Sequence, residues 1–77
     1  MIYKIEAFDK KTEFLVFAEE FPSGCDEQIA AIMGWTVEQQ GWEGYDLTSD
    51  QLNALEKLLR KAVFDPAHFF QLSCNAY

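Results

Sequence analysis

Apolar and polar positions alternate over residues 2–8, IYKIEAF: Tyr3, Ile5 and Ala7 fall on one side, Lys4 and Glu6 on the other. This period of two predicts a half-buried strand. Asp9-Lys10-Lys11-Thr12 is polar throughout and predicts a turn. Residues 13–19, EFLVFAE, predict a second strand. Apolar residues on both of its faces predict a central or covered position for it. The two strands are close enough in sequence to form a hairpin.

Phe21-Pro22-Ser23-Gly24 breaks the second strand. Ser23 stands three residues before Asp26, near a capping-box arrangement, and Asp26 and Glu27 suit the first turn of a helix. Ile29, Ile32 and Met33 form the inward stripe of that short helix, and Gly34 ends it. Residues 35–47, WTVEQQGWEGYDL, read as an ordered loop, and a short strand around Tyr45–Leu47 is compatible with the pattern. Thr48 and Gln51 make a T-x-x-Q capping box. The helix it starts, roughly 49–62, carries Leu52, Leu55, Leu59 and Ala62 on one face and a Glu56–Arg60 i,i+4 pair on another. Asp65-Pro66 terminates it. Residues 68–76, HFFQLSCNA, alternate again. Phe70, Leu72, Cys74 and Ala76 point inward; Phe69, Gln71, Ser73 and Asn75 point outward. The expected fold is therefore α+β, a small antiparallel sheet in ββααβ order with helices packed on one face. One domain, residues 1–77, accounts for the chain.

A chain of this size buries only about 60% of the surface that its unfolded form exposes. Seven Phe, three Tyr and two Trp, with 49% apolar residues, compensate by filling a dense core. No apolar run approaches membrane-spanning length, and the amino terminus lacks a long apolar segment with a cleavage site. Cys25 and Cys74 lack zinc-motif spacing and are too few for a disulfide scaffold. These features predict a cytoplasmic protein with two reduced, structural thiols and no membrane partner.

Charge narrows the partner further. The net charge is −7, and its distribution is segregated. From Thr12 through Glu56 there is no Lys or Arg, yet there are ten acids. Such a one-signed field repels nucleic acid and steers basic partners; it also serves solubility alone.

Catalytic chemistry finds no foothold in the sequence. His68 is the sole histidine, and none of the three serines lies in a nucleophile-elbow sequence. His68 is expected at a turn or in solvent. Cys25 sits near a helix start, but Asp26 and Glu27 oppose a thiolate there. Asp46-Leu47-Thr48-Ser49-Asp50 begins like a calcium loop, then places Gln51 where the turn glycine belongs and Lys57 where the bidentate Glu belongs. No glycine-rich phosphate loop occurs. The expectation is a binding protein rather than an enzyme, with no cofactor and no metal.

The segment Trp35–Asp46 combines Trp35, Trp42 and Tyr45 with Glu38, Glu43 and Asp46. Tryptophan and tyrosine anchor interfaces, and acids around them suit a basic partner, although both tryptophans also suit core filling. The candidate partner-binding residues are Glu19, Glu20, Glu38, Trp42, Glu43, Tyr45 and Asp46.

The segment IEAFDKKTE, the Glu19-Glu20 pair and the aromatic terminal segment FFQLSCNAY resemble the small acidic immunity proteins that neutralise bacterial nuclease toxins. The cloacin and ribonuclease-colicin immunity group is the nearest in kind. A looser resemblance extends to immunity proteins of contact-dependent growth inhibition systems. The resemblance implies a cytoplasmic inhibitor whose acidic surface binds a cognate basic toxin domain, without direct contact to nucleic acid. The alternative is an acidic DNA mimic, or another protein-binding module, that occupies a nucleic-acid-binding protein.

Overall fold

The computed structural model describes all of residues 1–77. Strands β1 (Ile2–Asp9) and β2 (Leu15–Glu20) are followed by helix α1 (Asp26–Met33). Strand β3 (Gly44–Asp46), helix α2 (Ser49–Leu59) and strand β4 (His68–Asn75) complete the chain. The fold is α+β, with one four-stranded antiparallel sheet in the order β2-β1-β4-β3. The expected ββααβ chain order is corrected to ββαβαβ, because three residues between the helices pair with the free edge of β4. The pattern admits a short strand around Tyr45–Leu47, and the strand forms one residue earlier, at Gly44–Asp46; so short a segment carries too little periodicity to enter the chain order by itself.

The first and last strands lie side by side at the centre. Each is eight residues long, and they pair without a break from Ile2↔Asn75 to Asp9↔His68. Their alternation sorts the two faces of the sheet as the pattern requires. Tyr3, Ile5, Ala7, Phe70, Leu72 and Cys74 are buried, and they join Ile29 of α1 and Leu52 and Leu55 of α2 in one core. Both helices therefore pack on that face. Burying each large aliphatic side chain there contributes about 1.5–3 kcal/mol.

The local signals hold at the start of α2 and in part for α1, while α2 ends well before Asp65-Pro66. Thr48 Oγ1 accepts from the Gln51 N–H at 3.1 Å, and Gln51 Oε1 accepts from the Thr48 N–H at 3.0 Å. At α1 the cap is Cys25, without a side-chain hydrogen bond, rather than Ser23. Gly34 closes α1 at φ +72°, in the left-handed region. Helix α2 stops at Leu59, earlier than expected, with Arg60 in the left-handed region at φ +60°. Ala62 consequently lies outside the helix and is exposed, and Val63 reaches the core in its place.

Strand β2 departs most from expectation. It is an edge strand, not a central or covered one. Phe14, Leu15 and Val16 are 75%, 52% and 51% exposed. Its register against β1 shifts between Ala7 and Phe8, leaving Val16 as the extra residue of a bulge. Apolar residues on both faces do mark a covered strand in most sheets, but here nothing in the chain packs over its outer half.

Candidate functional site

The second face of the sheet carries no helix. Its rows follow from the strand registers: Glu20, Lys4, Ser73 and Gly44 in one, and Ala18, Glu6, Gln71 and Asp46 in the next. Beyond them Phe8 pairs with both Leu15 and Phe69. None of these residues is buried. The Phe8 and Phe69 rings stack at 5.2 Å and 14°, so this face has an apolar corner beside a polar field in which Glu20, Glu6 and Asp46 surround one cation, Lys4. Glu20 and Asp46 bound the field at opposite edges, three strand spacings or roughly 14 Å apart.

Trp42 stands at the opposite end of this face. The Cys74 N–H donates to the Glu43 carbonyl at 2.9 Å and the Ala76 N–H to the Gly41 carbonyl at 3.1 Å. These bonds continue the β3–β4 pairing past the strand and carry Trp42 across from Asn75, on the side of Gly44. The Trp42 ring is 78% exposed. Gly41 allows the close approach: its φ is +108°, and a Cβ there would meet Ala76 at 2.7 Å. Trp35, by contrast, packs against the core between Tyr3 at 6.1 Å and Tyr45 at 5.3 Å.

Glu43 holds the Trp42 loop in shape. Its carboxylate accepts from the N–H groups of Gln40 at 2.7 Å, Gly41 at 2.9 Å and Trp42 at 3.1 Å. Desolvation pushes this carboxyl upward, but the backbone N–H groups of Gln40, Gly41, Glu43 and Trp42 outweigh it and hold it below the usual range. Tyr45 is also internal in role. It is half-buried, and its hydroxyl donates to Gln39 Oε1 at 2.6 Å.

The seven candidate residues therefore do not form one cluster. Glu19 faces the helix side and pairs with Lys61 at 2.5 Å, while Glu43 and Tyr45 brace the loop. Glu20, Trp42 and Asp46 border the open face, with Asp46 accepting from Gln71 Nε2 at 2.9 Å. Glu38 is exposed in the loop that precedes Trp42. Glu6, Phe8, Leu15 and Phe69 complete the surface and were absent from the candidate set. The outward half of the alternation in the first and last strands already pointed to Glu6 and Phe69.

His68 begins β4, as the alternation of the last segment predicts, but it is half-buried rather than in solvent: it lies edge-on to Phe17 and Phe70, and its Nδ1 is buried without a hydrogen-bond partner. A cavity of about 480 Å³ opens beside it, lined by Lys10, Leu47, Thr48, Leu52 and Phe64 among others. Cys25 and Cys74 are buried free thiols. Burial, then the nearby Glu43 charge, pushes the Cys74 thiol up to about 11, far from a reactive thiolate. No three His, Cys, Asp or Glu side chains gather closely enough to hold a metal ion. No helix is long and apolar enough to cross a membrane.

No curated protein matches the chain. A family model described as Domain of unknown function (DUF7683) matches residues 2–73, a span that runs from the first strand into the last and takes in both helices and the open face. The chain belongs to the DUF7683 family.

Proposed function

We propose that the protein is an immunity protein that binds a cognate bacterial toxin domain, a basic nuclease, and neutralises it in the cytoplasm. The observation that carries this reading is the uncovered sheet face, with exposed Trp42 at one end and three acids, Glu20, Glu6 and Asp46, against one cation, Lys4, across it. Nuclease clefts are basic because they grip phosphate. An acidic face presented on a rigid sheet meets such a cleft with complementary potential, which accelerates encounter. An exposed tryptophan held by a clamped loop adds apolar contact at little entropic cost and slows dissociation. The protein contributes binding, not catalysis.

The test is co-expression with the products of neighbouring genes. The expected result is one toxic product whose growth arrest is relieved by this protein, with a complex recovered between the purified pair. Failure to bind or protect against every neighbouring product would sink the reading. Broad competition with DNA for several unrelated DNA-binding proteins would favour a DNA mimic instead.

A further inference from the structure

We infer that the cavity where β3 gives out against β4 binds the C-terminal residue of an extended peptide, through its carboxylate, its N–H and an apolar side chain. The backbone of β4 sets this chemistry. Its even-numbered residues turn their N–H and C=O groups toward β3: Tyr45 pairs with Leu72, the Cys74 N–H donates to the Glu43 carbonyl, and the Leu47 N–H donates to the Phe70 carbonyl. After Leu47 the chain leaves this edge for α2, and two groups of β4 are left over. The Phe70 N–H has no acceptor and the His68 C=O has no donor. Phe70 is nevertheless buried, and a buried backbone N–H without an acceptor is rare in a folded protein. Both residues line the cavity, whose volume of about 480 Å³ is that of a small-ligand pocket.

The two free groups select the occupant. An antiparallel partner needs both the N–H and the C=O of one residue. At Phe70 the C=O is taken by the Leu47 N–H at 3.0 Å, and at His68 the N–H donates to the Asp65 carbonyl at 3.0 Å. One residue of a parallel segment instead donates to one strand residue and accepts from the residue two further on, which is the pair left open. A parallel segment cannot continue along β4 past that point, because Leu47 occupies the edge beyond it. The chain that fits is one that stops there, with its terminal carboxylate on the Phe70 N–H. Lys10 lines the same cavity and is in no ion pair, so it supplies the countercharge. Asp46 lines it too, but its carboxylate already accepts from Gln71 Nε2 at 2.9 Å. Leu47, Leu52, Phe64 and Phe70 form apolar walls for the last side chain. The cavity does not include Trp42, and this site does not rest on the immunity reading.

Titration of the isotope-labelled protein with an acetylated tetrapeptide ending in free-acid leucine, followed by amide NMR, tests the site. The expected result is saturable shifts centred on the Phe70 and Leu47 amides, with a dissociation constant of about 1 mM or tighter. The same peptide with an amidated end lacks the carboxylate and should bind at least about tenfold more weakly. Lys10→Glu should weaken binding of the acid by about fivefold or more, in a protein whose amide spectrum stays that of the folded chain. Phe64→Ala removes an exposed wall of the cavity and should weaken it as well. No shift at Phe70 with the acid peptide at about 5 mM overturns the inference. So does equal affinity for acid and amide, or a titration indifferent to both Lys10→Glu and Phe64→Ala. N-acetylleucine binding as tightly as the tetrapeptide also overturns it, because the occupant is then a small acid and not the end of a chain. These outcomes are independent of toxin binding.

Discussion

Glu56 Oε2 accepts a hydrogen bond from the Val63 N–H at 2.6 Å, and the same oxygen accepts from the Phe64 N–H at 2.9 Å. The carboxylate thus reaches past the end of α2 to tie down the segment that returns to the sheet. The i,i+4 spacing with Arg60 predicts a helical ion pair, but Arg60 caps the helix with left-handed backbone and forms no salt bridge. Glu56→Ala should lower stability by about 1–3 kcal/mol, the usual cost of stranding backbone donors that had a charged acceptor. Arg60→Ala should cost less than about 0.5 kcal/mol. Urea denaturation of the two variants checks the assignment; equal losses would restore the ion pair as the explanation.

Leu55 is fully buried where α2 meets the sheet. Leu55→Ala should cost about 2–5 kcal/mol, from lost transfer energy and the cavity left behind. For a chain of this length that is a large share of total stability, so the variant should unfold at markedly lower denaturant. A loss under about 0.5 kcal/mol would mean the residue is not in the core.

Alkaline pH should destabilise the protein. Burial, then the charge of Asp26, pushes the Tyr3 hydroxyl up to about 12 from 10.0. Cys74 rises to about 11 from 9.0. Both groups hold their protons more tightly when folded. The stability they contribute is complete below pH 9 and is lost as pH rises through the folded values. Denaturant midpoints measured from pH 8 to 11.5 should fall across that window, and a flat profile would contradict the burial of both groups.

Both cysteines should resist thiol reagents in the native state and report two thiols after denaturation, since each is buried and free. A single fast-reacting thiol under native conditions would mean that Cys25, at the helix start, is open to solvent.

Trp42→Ala should leave folding stability within about 0.5 kcal/mol, because the ring is exposed. Under the immunity proposal it should raise the dissociation rate from the toxin by about tenfold or more. Glu38→Lys combined with Asp46→Lys should instead lower the association rate, with an effect that shrinks as salt rises. Glu43 is unsuited to such a charge reversal, because its carboxylate holds three N–H groups of the loop. Stopped-flow kinetics at low and high salt separates the two effects.

Features whose causes are local were legible in the chain before any tertiary contact was known. Alternation in residues 2–8 and 68–75 assigned the buried sides of β1 and β4, because a strand's period sets which way each side chain points; Ala76, expected inward, lies past the end of β4 and is exposed. Thr48 and Gln51 located the start of α2, and Gly34 the end of α1, because caps are satisfied within a few residues of chain. Tertiary structure alone decided what lay beside each element. Apolar residues on both sides of β2 announce a covered strand, yet the sheet order left it at an edge. Trp35 and Trp42 are alike in type and neighbourhood, but one packs between two tyrosines and the other reaches solvent. Glu56 had an obvious partner four residues on and took two backbone donors further along the chain instead. Periodicity encodes the direction of a side chain about its own axis, whereas burial and pairing depend on which distant segment arrives there. That arrival is set by the joint packing of the whole chain.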